Sequence, residues 1–179
     1  MTETQVELTI EEPGWEVVPD LAGAATTAAT LALQGAGLSP AEYSISVLAC
    51  SDSRIQGLNT EFRDKAAPTN VLSWPAYDLA PAAPGEAPPT PPDSHFDGPN
   101  PIGDVAIALQ TCIHEAKIAE IPLKNHVIHL ILHGSLHLLG FDHETDKDAA
   151  RMEGIESQAL AKLGIADPYA QRKRGQPVF

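Results

Sequence analysis

Cysteine is scarce in this 179-residue chain: Cys50 and Cys112 are the two it has, far apart and outside any CxxC pattern. Two buried free thiols in a reducing cytoplasm are expected, rather than a disulfide. Basic residues are scarce as well. Eleven Lys and Arg stand against 24 Asp and Glu, for a formal charge of −13. Such a chain does not draw nucleic acid by its overall field, so a nucleic-acid substrate needs a local basic patch or a guiding partner. The candidates for a patch are Arg63 with Lys65, Arg151, and the trio Arg172, Lys173 and Arg174, which reads rather as a frayed, solvated tail. There is no apolar run of ~20 residues, so no membrane-spanning helix is expected. The opening MTETQVELTIEEPGW lacks a basic start followed by an apolar block, so no secretory signal is expected either. No internal repeat is visible. The length and the 43% hydrophobic content are most simply those of one soluble domain with a real core, spanning 1–179.

Periodicity orders the chain. Gln5 to Ile10 alternates as a half-buried strand does, and the alanine-rich stretch from Leu21 to Leu33 reads as a helix ended near Gly35 and Gly37. YSISVLAC, Tyr43 to Cys50, is a strand. Asp52 or Ser53 then caps a helix whose apolar face is Ile55, Leu58 and Phe62. Val71 to Trp74 is a short strand closed by Pro75. Residues 76–101 are too rich in proline for a helix or a central strand and read as a long surface loop or flexible insertion, with His95 an exposed residue in it. IGDVAIAL, from Ile102, is a strand, and Thr111 to Ala119 is helical. Pro122 starts a helix through His126 to about Leu139, stopped by Gly140. Thr145 and Asp148 form a capping pattern for a last helix that turns Met152, Ile155, Ala159 and Leu163 to the core before Gly164. The order β-α-β-α-β-β-α-α-α predicts an α+β fold, a small mixed β-sheet packed with helices.

HGSLHLLGFDH, His133 to His143, carries three histidines at spacings of four and six. Residues four apart share a helix face, so His133 and His137 can offer two nitrogens to one ion. A straight helix cannot supply a third ligand of a tetrahedron, but Gly140 accepts the φ > 0 conformation that turns the chain back and brings His143. Three histidines with one open position make a catalytic type of zinc site. His129 is also four residues from His133, so a 129/133 pair is geometrically open. The 133/137/143 set is preferred because it uses the Gly140 turn, which leaves His129 as a packing or supporting residue. The spacing equals that of the metzincin zinc peptidases, which place glutamate after the first histidine as general base; here that residue is Gly134.

Two blocks resemble the bacterial YbeY family of metal-dependent endoribonucleases. LNTEFRDKAAPTNVLSWP, Leu58 to Pro75, is similar to LNxxFRxKDxPTDVLSFP, and HLILHGSLHLLGFDHETD, His129 to Asp146, to HxxxHGxLHLxGYDH. GDVAIAL and the HEA that follows fit the strand and helix between them. The similarity covers about Ser44 to Leu163 apart from the insertion. Asn70 stands where the family has aspartate, which puts a carboxylate role there in doubt, and Trp74 and Phe141 are aromatic exchanges. The resemblance implies a zincin-like site with zinc on His133, His137 and His143, and Arg63 as the functional arginine. It implies hydrolysis of single-stranded RNA, 3′-end maturation of small-subunit rRNA, and ribosome quality control.

The residues themselves are compatible with these roles. Arg63 can grip a phosphate with two prongs or simply pair with Glu61 or Asp64. Asp142 can orient an imidazole, assist proton transfer, or cap the turn after Gly140. The expected protein is a cytoplasmic zinc-dependent endoribonuclease, recruited to rRNA through the small ribosomal subunit and its assembly proteins. Two other readings stay open: an assembly factor with a mainly structural metal, and a metallopeptidase using a glutamate such as Glu115 or Glu144.

Overall fold

The alternating segments pair as one sheet. In the computed structural model, which describes residues 2–63, 69–95 and 97–170 with Arg63 represented by its backbone, the strands are β1 (Gln5–Ile10), β2 (Tyr43–Cys50), β3 (Val71–Pro75) and β4 (Asn100–Ala108). Their order is β1-β2-β4-β3, with β1, β2 and β4 parallel and β3 antiparallel to β4. The sheet is therefore mixed, as expected, and β3 is an edge strand, where the donorless Pro75 is tolerated.

Five helices complete the fold: α1 (Leu21–Gly35), α2 (Asp52–Arg63), α3 (Leu109–Ile118), α4 (Leu123–Leu138) and α5 (Asp146–Ala161). In α1, alanine both favours the helix and lets it approach α4 closely, with Ala25, Ala28, Ala29 and Ala32 fully buried. The main core joins these to Ile45, Val47 and Ile107 of the sheet and to Ile131, Leu132 and Leu136 of α4. Side chains alternate across a strand. The opposite face accordingly carries a smaller cluster of Cys50, Leu72, Ala106 and Ala108 beneath Ile55 and Leu58 of α2. Both cysteines are free and buried. Among the described residues no helix is long and apolar enough to cross a membrane.

Three expectations change. The α2 cap is Ser51, whose hydroxyl oxygen accepts from the Arg54 N–H at 3.1 Å, while Asp52 instead bonds the backbone and hydroxyl of Thr111 at 2.9 and 2.7 Å. Phe62 is 59% exposed instead of buried: the cluster beneath α2 is small, and the last turn meets Trp74 edge-on at 5.9 Å. Leu163 is exposed too, because α5 ends at Ala161 and the chain turns away at Gly164, φ +70°.

The proline-rich stretch is a surface loop, and it is pinned. Tyr77 donates to the Asn100 side chain at 2.7 Å, and Asn100 donates to the Pro92 carbonyl at 2.9 Å. The Gly85 N–H reaches Asp148 at 2.8 Å, and Arg151 donates to the Gly85 carbonyl at 2.9 Å. Arg151, a candidate for the basic patch, is thus bonded to the loop.

Candidate metal centre

Helix α4 carries His126, His129, His133 and His137 along one stripe, with successive ring centroids 6.4, 6.2 and 4.6 Å apart. The side chains of this stripe converge because positions three and four apart stack on one face. Gly134 faces another way. A Cβ built there would stand 2.9 Å from Val105 Cγ1, 3.1 Å from Ser73 Oγ and 3.2 Å from Val71 Cγ2, so the residue after His133 presses on β3 and β4.

The helix ends as its glycine requires. Gly140 takes φ +92°, and a Cβ there would lie 2.2 Å from the Leu79 carbonyl oxygen, so both its backbone angle and the loop against it call for glycine. The Phe141 N–H returns to the Leu136 carbonyl at 3.1 Å. His143 then arrives with its ring 5.3 Å from that of His133 and 5.2 Å from that of His137. One ligand atom from each of His133, His137 and His143 lies within 4.8 Å of the others, so the three could hold a metal ion.

Hydrogen bonds choose the tautomers. His137 donates from Nδ1 to the Phe141 carbonyl at 2.9 Å, and His133 donates from Nδ1 to Glu156 Oε1 at 2.6 Å. Where both rings are neutral, both Nε2 atoms are then lone-pair acceptors, and they stand 3.0 Å apart. At that distance two lone pairs repel unless a cation lies between them, either a proton in an N–H···N hydrogen bond or a metal ion, and with His143 alongside the donor set fits a metal. Burial first, then His133 and His143, push His137 down to about 4, which keeps it in the neutral form that ligates.

Glu156 is fully buried behind His133. It also accepts from His129 Nε2 at 2.9 Å and from the Tyr169 hydroxyl. Burial alone would raise its carboxyl, but the hydrogen bonds from His129 and His133 outweigh that and bring it to about 2. His129, His133 and Glu156 form a second grouping of ligand-type atoms within 4.8 Å. There, however, each nitrogen–oxygen contact is already donor to acceptor. Sequence reasoning missed Glu156 and Tyr169. A signal existed for the first: Glu156 lies one turn from both Met152 and Leu160, which are fully buried, so a carboxylate stands in the apolar stripe of α5.

The remaining candidates fall as follows. Asp142 is half-buried on the cleft wall and accepts from the His143 N–H at 2.7 Å, the geometry of a turn cap, with its charge raising His137 against the larger effects. Glu115 is turned to Asn70, at 3.0 and 3.2 Å, and to His126 at 2.7 Å. Glu144 lines the cleft, which encloses about 1050 Å³ between the histidines, Asn70, Tyr77 and Leu79. Arg63 closes α2; its side chain, Lys65, and the Arg172–Lys173–Arg174 trio lie outside the described residues.

Fold and site together define an α+β protein with a histidine centre able to take a metal. The chain belongs to the YbeY endoribonuclease family: the profile described as Endoribonuclease YbeY matches residues 16–164, beginning further toward the N-terminus than the quoted blocks. Relatives of that name share much of the sequence. The protein of Ruegeria pomeroyi is 53% identical over 92% of this chain and 97% of its own length. That of Dinoroseobacter shibae is 52% identical over 92% and 90%, and that of a Jannaschia species 47% over 92% and 99%. A solution structure of a Thermotoga maritima protein shares the fold at 17% identity, with a TM-score of 0.56 over 96% of this chain and 93% of that one.

Proposed function

We propose that this chain is a cytoplasmic zinc-dependent endoribonuclease, specific for single-stranded RNA, that acts in 16S rRNA 3′-end maturation and ribosome quality control. The carrying observation is the convergence of His133, His137 and His143, with Nε2 of the first two 3.0 Å apart, in a chain of this family. Three imidazole nitrogens make a donor set that would suit zinc. His133, His137 and His143 would hold the zinc, which would supply Lewis acidity for hydrolysis.

The chain's own residues do the rest. Glu156 and the Phe141 carbonyl set the tautomers of His133 and His137. Arg63 grips the scissile phosphate and offsets the charge that grows on it. Asp142, on the cleft wall, is placed to accept or orient a proton. The chain acts as one domain spanning 1–179, with the insertion at about 76–101 supplying Tyr77 and Leu79 to the cleft. With a charge of −13, the protein reaches rRNA through the small ribosomal subunit and its assembly proteins.

The test is cleavage of single-stranded RNA by purified protein with and without a strong chelator. Cleavage should vanish with the chelator and in His137→Ala. Equal cleavage in all three samples would overturn the reading, and an apoprotein that unfolds would favour an assembly factor with a structural metal.

A further inference from the structure

We infer that Glu156 and Tyr169 are positioning residues of the metal centre, fixing the His133 ring so that its Nε2 faces the ion. The inference rests on the metal site proposed above. Its basis is the set of hydrogen bonds made to one carboxylate by the described residues. Glu156 is fully buried, and its two oxygens take three donors: His133 Nδ1–H at 2.6 Å, His129 Nε2–H at 2.9 Å and the Tyr169 hydroxyl. Tyr169 is 6% exposed, stands edge-on to His129 with ring centroids 5.8 Å apart, and belongs to the turn that follows α5. That turn is tied down by Asp167, which accepts from the Tyr169 N–H at 2.9 Å and from the Ser157 hydroxyl at 2.8 Å. A short C-terminal turn thus forms the back wall of a site whose ligands come from α4 and its following loop.

Packing alone does not account for this carboxylate. Its neighbours one turn away, Met152 and Leu160, fill the same stripe with apolar side chains, and burying an ionised carboxyl is costly by comparison. What Glu156 adds is direction. A neutral imidazole exchanges its proton between two nitrogens and its ring can flip; a carboxylate accepting from Nδ1 holds the proton there, leaves Nε2 to the metal and raises its basicity. Tyr169 and His129 hold the carboxylate in turn.

The test measures zinc affinity of the full chain by competition with a chromophoric chelator, beside the visible spectrum of the cobalt-loaded protein and the thermal unfolding of the apoprotein. Glu156→Ala should weaken zinc by about 10–100-fold. Glu156→Gln, whose carbonyl can still accept from His133, should fall between it and wild type. Tyr169→Phe removes one hydroxyl with little change of volume; it should weaken zinc and shift the cobalt spectrum, while costing apoprotein unfolding no more than the loss of one buried hydrogen bond. It keeps the test decisive where Glu156→Ala does not fold. Wild-type zinc affinity and cobalt spectra in both Glu156→Gln and Tyr169→Phe would overturn the inference alone. A wild-type chain that takes up neither metal would overturn the metal reading and this inference with it.

Discussion

The Ser73 hydroxyl donates to the Gly134 carbonyl at 3.0 Å, and the same oxygen would stand 3.1 Å from a Cβ placed on Gly134. Strand β3 and helix α4 are therefore as close at this point as a glycine allows. Gly134 follows the first histidine of the motif, where zinc peptidases carry their glutamate. Here that position looks into the sheet, so even a methyl group requires Val105, Ser73 and Val71 to give way. Gly134→Ala should destabilise the fold by about 1–3 kcal/mol through overpacking, read as a fall in the urea midpoint. Gly134→Glu should fail to fold, not gain peptidase activity. A stable Gly134→Glu protein that hydrolyses peptides would refute this placement.

Gly140 carries a different constraint. At φ +92° a side chain is strained whatever the space, and the Leu79 carbonyl oxygen at 2.2 Å from a built Cβ removes the space as well. The left-handed region alone costs an L-residue about 1–2 kcal/mol. Gly140→Ala should lower stability by at least that, and it should also weaken metal uptake, because the turn delivers His143. A variant as stable as the parent, with unchanged metal content, would separate the turn from the site.

Much of this was legible in the sequence because local rules decided it. Alternation set Gln5–Ile10, β-branched and aromatic residues set Tyr43–Cys50, and the capping pattern at Thr145 set the start of α5, where the Thr145 oxygen accepts from the Asp148 N–H at 3.1 Å. The helix, glycine and returning histidine were visible for the same reason. What could not be read depends on partners distant in the chain. Glu156 reaches His133 across 23 residues and Asn70 reaches Glu115 across 45, and no spacing rule joins them. Phe62 was misplaced because periodicity reports a face without reporting how far the surface beneath it extends.

Asn70 and Glu115 give a pH prediction. Burial pushes the Glu115 carboxyl up, but hydrogen bonds from His126 and Asn70 outweigh that, so it lies below its ordinary 4.5. A carboxyl with a depressed folded pKa stabilises above its unfolded value, and that stability is lost as the pH falls through the folded one. Glu115→Gln should cost about 1–3 kcal/mol near neutrality, as buried donors lose a charged acceptor. Its gap from wild type in urea unfolding should then close as the pH falls below 4.5. Asn70→Asp sets a second carboxylate against the first and should be most destabilising where both are ionised. A gap that widens in acid would contradict the assignment.

Arg63 and His137 should separate in kinetics. His137 belongs to the group able to hold the ion, so His137→Ala should lose metal and activity together. Arg63 is proposed to grip the phosphate, and such a contact would strengthen as charge builds during attack. Arg63→Ala should therefore keep its zinc and its unfolding midpoint but lose about 10²–10³-fold in kcat, the scale of one donor to a developing oxyanion. Arg63→Lys keeps the charge and loses the fork, so it should recover part of that rate. The measurements are metal content by atomic absorption and single-turnover cleavage of an unpaired RNA oligonucleotide. Metal loss in Arg63→Ala would make it a structural residue. Full activity would make it a surface arginine and leave the phosphate without an assigned partner.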